Sequence, residues 1–324
     1  MTSEAAFLFA MVLDKKNSGT FISWKETINW HPSDGILWIH LNCGIEQSYR
    51  QFLLDSALDS FIIDSLSATK TRPRCYTHND GVTLILRGVN LNPGADPEDM
   101  ISVRIWAEKN KIITSSFSNL ISIDDIKKSL SEKNGPATSG EFLSVLAENL
   151  SFHISNVLEK LDDRIDDLED RTFKSHDRKM QGNISDLLRQ TIKFIRHLTP
   201  QYEALYALQN IKLDWFEENN HFSLREIVNS TTRYLEGLTV AKNHVEIAQE
   251  ELRVCFSQQL NKTMYLLAVI TSIFLPLSLL TGLLGINVAG IPGANHPLAF
   301  IIVCSMLGLI AIIQVLILKK IHWL

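Results

Sequence analysis

Cysteine is scarce in this sequence, and none of it stands in a metal-binding pattern. Four cysteines, Cys43, Cys75, Cys255 and Cys304, are scattered, and no Cys-x-x-Cys pair occurs. This excludes the usual spacing of a disulfide framework or a zinc finger. Residues 1–262 also lack a Gly-rich phosphate loop and a nucleophile elbow, so the motifs give no support to an enzyme.

Charge is absent from one long stretch near the end of the chain. The 56 residues from 263 to 318 contain no Asp, Glu, Lys or Arg. Two apolar runs, 264–286 and 297–318, lie on either side of a short turn that contains Gly and Pro. An α-helix needs about 20 apolar residues to cross a bilayer. The stretch therefore predicts a two-span membrane hairpin in contact with lipid.

The remaining charges favour a cytoplasmic domain that attracts cations. Residues 1–262 hold all 36 acidic residues and 29 of the 31 basic residues, a formal charge of −7. This balance argues against nucleic acid as a partner. No signal-peptide pattern opens the chain, and Lys262, Lys319 and Lys320 flank the spans. By the positive-inside rule we expect both termini in the cytoplasm of a bacterial-type inner membrane.

The first part of the chain, residues 1–136, predicts an α+β cytoplasmic domain. Apolar segments bounded by Asn, Asp or Gly are typical of strands, and stretches near 46–57, 60–68 and 122–133 favour helices. The signal Asn134-Gly-Pro136 ends the domain. The predicted strands are Ala6–Leu13, Ile36–Leu41, Val82–Val89, Ile101–Trp106 and Lys111–Ser116.

Residues 137–262 predict a long helical stalk, followed by the membrane part, 263–324. Apolar residues recur at three- and four-residue spacing from Ser139 to Leu168, which indicates an amphipathic helix. A second helix is expected at about 185–213, with a kink or break at Pro200. The third, about 223–285, has a heptad seam and continues into the first span without a stop signal. Its seam favours packing within the chain and against neighbouring copies.

The first span carries a stripe of small and polar residues on one side. Such residues in a membrane helix indicate either helix–helix contact or the lining of a pore, and both hold if several copies pack around an axis. Two spans cannot enclose a pore alone, so we expect a homo-oligomer. We call these residues the polar stripe: Asn261, Met264, Ala268, Thr271, Leu275, Ser278, Gly282 and Gly285.

The end of the first span resembles the Gly-Met-Asn signature of CorA-type divalent-cation transporters. Gly285-Ile286-Asn287 closes a proline-bearing span, Phe274 to Gly282, and the chain ends in Lys319-Lys-Ile-His-Trp-Leu324. The layout of α/β domain, stalk and two C-terminal spans resembles this family along nearly the whole length. The resemblance implies a pentameric, funnel-shaped fold and a metal-transporting function without enzymatic activity or a bound cofactor.

Departures from that signature point to one branch of the family. Ile286 replaces the usual Met, and the loop that follows lacks the acidic residue common in magnesium members. Gly-Ile-Asn, Thr71-Arg-Pro-Arg74 and Gly290-Ile-Pro-Gly293 are similar to the ZntB branch. This resemblance implies Zn²⁺ as the transported substrate, with Co²⁺, Ni²⁺ and Cd²⁺ also carried, and in some members proton-coupled uptake. A magnesium channel of the same family and a membrane-tethered cytosolic enzyme or sensor are the alternatives.

The same resemblance assigns pore residues, and the residues themselves suggest further cation contacts. For Gly285 and Asn287 the alternative to a pore role is an ordinary helix C-cap, which Gly and Asn commonly form. His296, at the outer mouth, is a candidate for binding metal or sensing pH, and the acidic helix face with Asp163 and Asp167 is either a cation-attracting surface or simply solvated. Glu246 and Glu250 are candidates for the inner mouth. The pore residues that the resemblance assigns are Asn261, Met264, Leu267, Leu275, Ser278, Gly285 and Asn287. We add Thr271, which lies on the polar stripe, and Ile286, which belongs to the signature.

Overall fold

The computed structural model describes residues 3–14, 16–56, 58–174, 178–285 and 296–321, with the backbone only for 169–174 and 178–179. Within these ranges, residues up to 249 form one compact unit and residues from 250 onward form a second. The division predicted at 136/137 and 262/263 stays a prediction.

The first unit contains a seven-stranded mixed sheet. The strands lie in the order β2-β1-β3-β7-β6-β5-β4. Only β3 and β7 pair in parallel among the described strands, and every other neighbouring pair is antiparallel. The strands are β1 (Phe7–Leu13), β2 (Gly19–Ile22), β3 (Ile36–Asn42), β4 (Arg74–His78), β5 (Gly81–Gly88), β6 (Ile101–Ala107) and β7 (Lys111–Ser116).

Helices cover both faces of the sheet. Alternate side chains of β3 enter two separate cores, because successive strand residues point to opposite faces: Ile36 and Trp38 enter one, Leu37 and Ile39 the other. The helices are α1 (Trp24–Ile28), α2 (Glu46–Asp55), α3 (Ser60–Ser67), α4 (Ile121–Ser131), α5 (Ser139–Lys174), α6 (Arg178–Gln209), α7 (Glu218–Leu284) and α8 (Ala299–Lys320).

Each face of the sheet has its own set of helices. Helices α2 and α3 contribute Tyr49, Leu53 and Ile62 to the core that contains Leu37. The other core takes residues from α4, α5, α6 and the first turns of α7. The five predicted strands and three predicted helices of this part are confirmed. The sequence patterns missed α1, β2 and β4, which are short or lack apolar alternation.

The three long helices agree with the predicted periodicities, with shifted ends. Helix α6 begins at Arg178 and ends at Gln209, and it runs through Pro200, so the predicted break does not occur. Helix α7 begins at Glu218, five residues before the predicted start. The α7 seam lies in the interior, since Val245 is fully buried and Leu238 and Leu252 are nearly so. Packing within the chain therefore accounts for this seam.

Candidate ion-conduction site

Within the described ranges, two helices are long and apolar enough to cross a membrane, judged by length and composition. They are α8 and the C-terminal part of α7. These are the two spans that the uncharged stretch predicts. The predicted pore residues from Asn261 to Gly285 all lie at the C-terminal end of α7 or directly after it.

The polar stripe of α7 is exposed along its whole described length. Met264 is 69% exposed, Leu267 64% and Leu275 63%, and Asn261, Thr271, Ser278 and Gly285 are exposed as well. A helix that is already packed on this side within one chain would bury these residues. The stripe is therefore available to a neighbouring molecule or to a pore.

The opposite side of the same helix is partly covered. Val269 is only 7% exposed, and Ile273, Leu277 and Leu280 are half-buried. At 3.6 residues per turn, these residues lie across the helix axis from the stripe. In α8, half-buried residues such as Val303 recur at three- and four-residue spacing. One side of each membrane helix is thus the side used for packing within this unit.

Hydroxyl groups along α7 donate their hydrogens to the helix itself. Thr271 Oγ1 donates to the Leu267 carbonyl at 2.7 Å, and Thr281 Oγ1 donates to the Leu277 carbonyl at 3.0 Å. A hydroxyl that has donated its hydrogen keeps its oxygen lone pairs as acceptors. Thr271, on the stripe, therefore presents an acceptor to the water molecules around a hydrated cation.

The filter signature is only partly described. Helix α7 ends at Leu284, and the Gly285 amide donates to the carbonyls of Thr281 and Gly282 at 2.9 and 3.2 Å. Predicted residues Ile286 and Asn287 lie outside the described residues. His296 is exposed, and its Nδ1 accepts a hydrogen bond from the Leu298 amide at 3.2 Å. This bond fixes the ring at the start of α8.

The acidic candidates lie in the first unit, on α5. Asp163 and Asp167 are both exposed. Within the described ranges, no group of three or more His, Cys, Asp or Glu side chains is placed to hold a metal ion. Cation attraction by this face stays a prediction.

The two glutamates proposed for the inner mouth are paired with bases on α7. Glu246 lies 2.8 Å from Lys242 Nζ, and Glu250 lies 3.3 Å from Arg253 Nη1. These ion pairs reduce the negative field that a ring of such carboxylates would produce.

Two features of these helices escaped the sequence patterns. The side-chain oxygen of Gln314, in α8, is buried and has no hydrogen-bond partner among the described residues; a lone amide within an apolar span was the available signal. Val240, Ile247 and Val254 are 55%, 59% and 45% exposed, and they recur every seven residues on α7. The same spacing continues through Asn261 and Leu275 of the polar stripe.

Comparison with known proteins places this arrangement in a family. The family described as "CorA-like Mg2+ transporter protein" matches residues 33–320. The chain belongs to this family. Among curated relatives, the divalent cation transporter CmaX of Pseudomonas aeruginosa is 33% identical over 99% of this chain and 98% of its own length. The zinc transport protein ZntB of Pectobacterium carotovorum is 30% identical over 97% of this chain and 95% of its own length.

Solved structures agree with the CorA-type assignment. The full-length CmaX structure is similar with a TM-score of 0.83 at 32% identity and covers 98% of both chains. The CorA-like fold, with a mixed α/β N-terminal domain, a long helix and two apolar C-terminal helices, is confirmed. As a member of this family, the chain is a divalent-cation transport protein and not an enzyme, so the tethered-enzyme alternative is set aside.

Proposed function

We propose that the chain forms a homopentamer that takes up Zn²⁺ as a largely hydrated ion through a pore lined by the polar stripe of α7. The observation that carries this proposal is the exposure of the stripe on the side of α7 opposite its packed seam. A chain with two spans cannot surround a pore by itself. Copies of α7 arranged around an axis, with their stripes inward, would both cover the stripe and form a channel.

The stalk half of α7 supports self-association independently. Val240, Ile247 and Val254 are exposed at seven-residue spacing, and apolar side chains at this spacing are typical of helices that pack around one another. Such residues cost solubility if they stay exposed. The number five comes from the architecture that the family resemblance implies.

The chemistry of the stripe favours a hydrated ion. Zn²⁺ prefers thiolate, imidazole and carboxylate ligands, and the stripe contains no Cys, His, Asp or Glu. It offers an amide, hydroxyls and a wide apolar wall instead. A passing cation therefore keeps its inner water shell, and Co²⁺, Ni²⁺ and Cd²⁺ should pass as well.

Zinc is proposed as the substrate over magnesium for two reasons. Relatives that cover nearly the full length are named zinc transport proteins, and the loop after Asn287 has no acidic residue. The family description itself names Mg²⁺, so a magnesium channel is the alternative that an experiment must distinguish.

Proton coupling would need a titratable group close to the pore. No carboxylate lies between residues 263 and 318, where His296 is the only histidine. Comparing zinc uptake by wild type and His296→Ala at outside pH 5.5 and 7.5 tests this coupling. An equal pH dependence in both proteins would remove His296 from it.

Uptake by purified protein in liposomes that contain a metal-sensitive dye tests the proposal. Ser278→Phe places a bulky ring on the exposed stripe, whereas Leu266→Phe places it on the other side of α7, at a residue that is also exposed. We expect Zn²⁺ influx in wild type and Leu266→Phe, strongly reduced influx in Ser278→Phe, and an unchanged oligomer in all three.

Two results would contradict this proposal. Zn²⁺ influx in Ser278→Phe equal to that of wild type, with the oligomer intact, would show that the stripe does not line the pore. Influx of Mg²⁺ without influx of Zn²⁺ in the wild type would assign the channel to magnesium.

A further inference from the structure

A cavity of about 920 Å³ lies within the first unit, between helix α6 and the β4–β5–β6 side of the sheet. Its wall is built from five separate parts of the sequence, which the fold brings together: the loop 69–73 before β4, residues 87–90 at and after the end of β5, residues 99–102 at the start of β6, residues 117–118 after β7, and 196–203 of α6. Small-molecule sites are typically about 300–1,000 Å³, so the cavity is large enough for a metabolite.

The cavity wall carries more positive than negative charge. Four bases line it, Lys70, Arg72, Arg87 and Arg196, against two carboxylates, one of them Asp99. Asp99 is itself engaged by Lys193, at 2.8 Å between Nζ and Oδ1. A divalent metal ion would be repelled by this wall, so the cavity is unsuited to the transported ion.

Backbone carbonyls hold Arg87 in this wall, and it has no acidic partner within the part of the chain that the structure describes. Its Nη1 donates to the Met100 carbonyl at 2.8 Å and its Nη2 donates to the Thr71 carbonyl at 2.9 Å. Its Nε is buried and has no hydrogen-bond partner among the described residues. Burial, together with the neighbouring Arg104 and Arg196, lowers the pKa of the guanidinium. Two carbonyls therefore fix the group, but they do not neutralise its charge.

The pKa of His197 is lowered by the same positively charged side chains. Burial, followed by the neighbouring charges of Arg87 and Arg196, lowers its pKa to about 4, although Asp99 opposes them. The ring is therefore neutral at cytoplasmic pH. In an ordinary basic patch on the surface, the side chains stay hydrated. Here His197 has lost part of its hydration and an Arg87 donor is buried, so a basic patch without a ligand explains this site poorly.

We propose that this cavity binds a small soluble organic phosphate. Planar guanidinium groups match the oxygens of a phosphate and can bind them in pairs, and Arg72, Arg87 and Arg196 line the same cavity. The hydroxyl of Ser102, which also lines the cavity, adds a further donor. Phe117, which is 47% exposed, also lines the cavity and offers an apolar surface for the organic part of the ligand.

The two arginines of the run Thr71-Arg-Pro-Arg74 have different roles in this cavity. Thr71, Arg72 and Pro73 line the cavity, whereas Arg74 turns away and donates to the Ser65 hydroxyl at 2.7 Å and to its carbonyl at 3.2 Å. One arginine of the run thus anchors the loop to α3, and the other is available to a ligand.

Equilibrium dialysis of the full-length protein in mild detergent against radiolabelled ATP, adenosine and inorganic phosphate tests this proposal. Arg72→Gln and Arg196→Gln remove two exposed lining charges. Arg50→Gln is the matched control, because Arg50 is an exposed arginine on α2 that pairs with Asp64 and lies outside the cavity wall. Thermal unfolding of each variant confirms that it folds.

We expect saturable binding of ATP, weaker binding of inorganic phosphate and none of adenosine. Each lining variant should weaken ATP binding about tenfold, about 1.4 kcal/mol, because it removes a charge-assisted hydrogen bond, and Arg50→Gln should bind as wild type does. Equal affinity in all four proteins, no binding of either phosphate compound, or binding of adenosine as tight as that of ATP would each overturn the proposal. Because none of these variants touches the polar stripe, zinc uptake can fail or succeed independently of this result.

Discussion

At the scale of single residues, the side of α7 that is proposed to line the pore offers hydrogen-bond acceptors that carry no charge. Thr271 has donated its hydroxyl hydrogen to the Leu267 carbonyl at 2.7 Å, so water around an ion can donate to its oxygen. Asn261 and Asn287 are proposed to supply amide oxygens in the same way. Weak acceptors of this kind hold a hydrated cation long enough to enter and release it again.

Asn287→Ala should nearly abolish uptake while leaving the oligomer intact. The mutation removes the amide from the carbonyl-rich end of α7, where the helix dipole is negative and favours cations. Loss of a hydrogen bond to the water shell of the ion, about 0.5–1.5 kcal/mol in each subunit, predicts a reduction of about tenfold or more. Asn295→Ala, in the same loop but outside Gly285-Ile-Asn287, is the control. Liposome uptake and native mass spectrometry are the two readouts; normal flux in Asn287→Ala would show that the tripeptide is only a helix cap.

His40 predicts an acid-sensitive first unit. Burial lowers its pKa from 6.5 to about 4, and its Nδ1 lies 2.9 Å from Thr114 Oγ1. The unfolded chain binds the proton more readily between these values, so the stabilisation that is complete above about pH 6.5 is lost as the pH falls toward about 4, by at most ~1.4 kcal/mol per pH unit.

His40→Leu should flatten that part of the pH dependence. Thr114 would keep its bonds with the Trp38 indole and the Ile39 carbonyl. Thermal unfolding of the detergent-solubilised protein at pH 7 and pH 5 gives the comparison. An identical loss of stability in wild type and His40→Leu would contradict the role of His40.

At the scale of elements, periodicity allowed the long helices to be predicted, and contacts distant in sequence decided the rest. The seam of α7 repeats every seven residues, and Val245 and Leu252 are buried as that repeat predicts. Strand β4 has no such pattern: it joins the sheet only because β5 pairs with it. Gly19–Ile22 likewise becomes a strand because β1 lies beside it.

The candidate site residues also divide into those that a local pattern predicts and those that only the fold brings together. The polar stripe is a local pattern along one helix, so the sequence alone could indicate it. The phosphate cavity joins Arg72, Arg87 and Arg196, which are far apart in the sequence and meet only because α6 packs on the sheet. No local spacing could have predicted that meeting.

The exposed seven-residue repeat of α7 should hold the oligomer together. Ile247→Asp places a charge at a residue that is 59% exposed in one chain, so the fold of each chain should survive while like charges repel around the axis. We expect native mass spectrometry to show monomers and circular dichroism to show unchanged helix content. Ile192→Asp, at an exposed isoleucine of α6, is the matched control. An intact oligomer in Ile247→Asp would exclude this face from the interface.

At the scale of the whole molecule, the charged residues and the predicted pore wall of the transporter lie in different parts of the sequence. Residues 1–262 carry a formal charge of −7, which raises the local concentration of cations, whereas the predicted pore wall is uncharged. One exception lies within the first unit, where the cavity beside α6 collects bases. The account thus assigns cation attraction, ion passage and binding of an organic phosphate to different sets of residues.

The most direct measurement is the initial rate of uptake of Zn²⁺, Co²⁺ and Ni²⁺ into liposomes at equal free metal concentration. These ions differ in their preference for protein ligands but little as hydrated species. The account predicts rates that agree within about tenfold, since the stripe does not replace the inner water shell. Uptake of Zn²⁺ with no measurable uptake of Co²⁺ or Ni²⁺ would require inner-shell ligands that the stripe lacks, and would contradict passage of a hydrated ion.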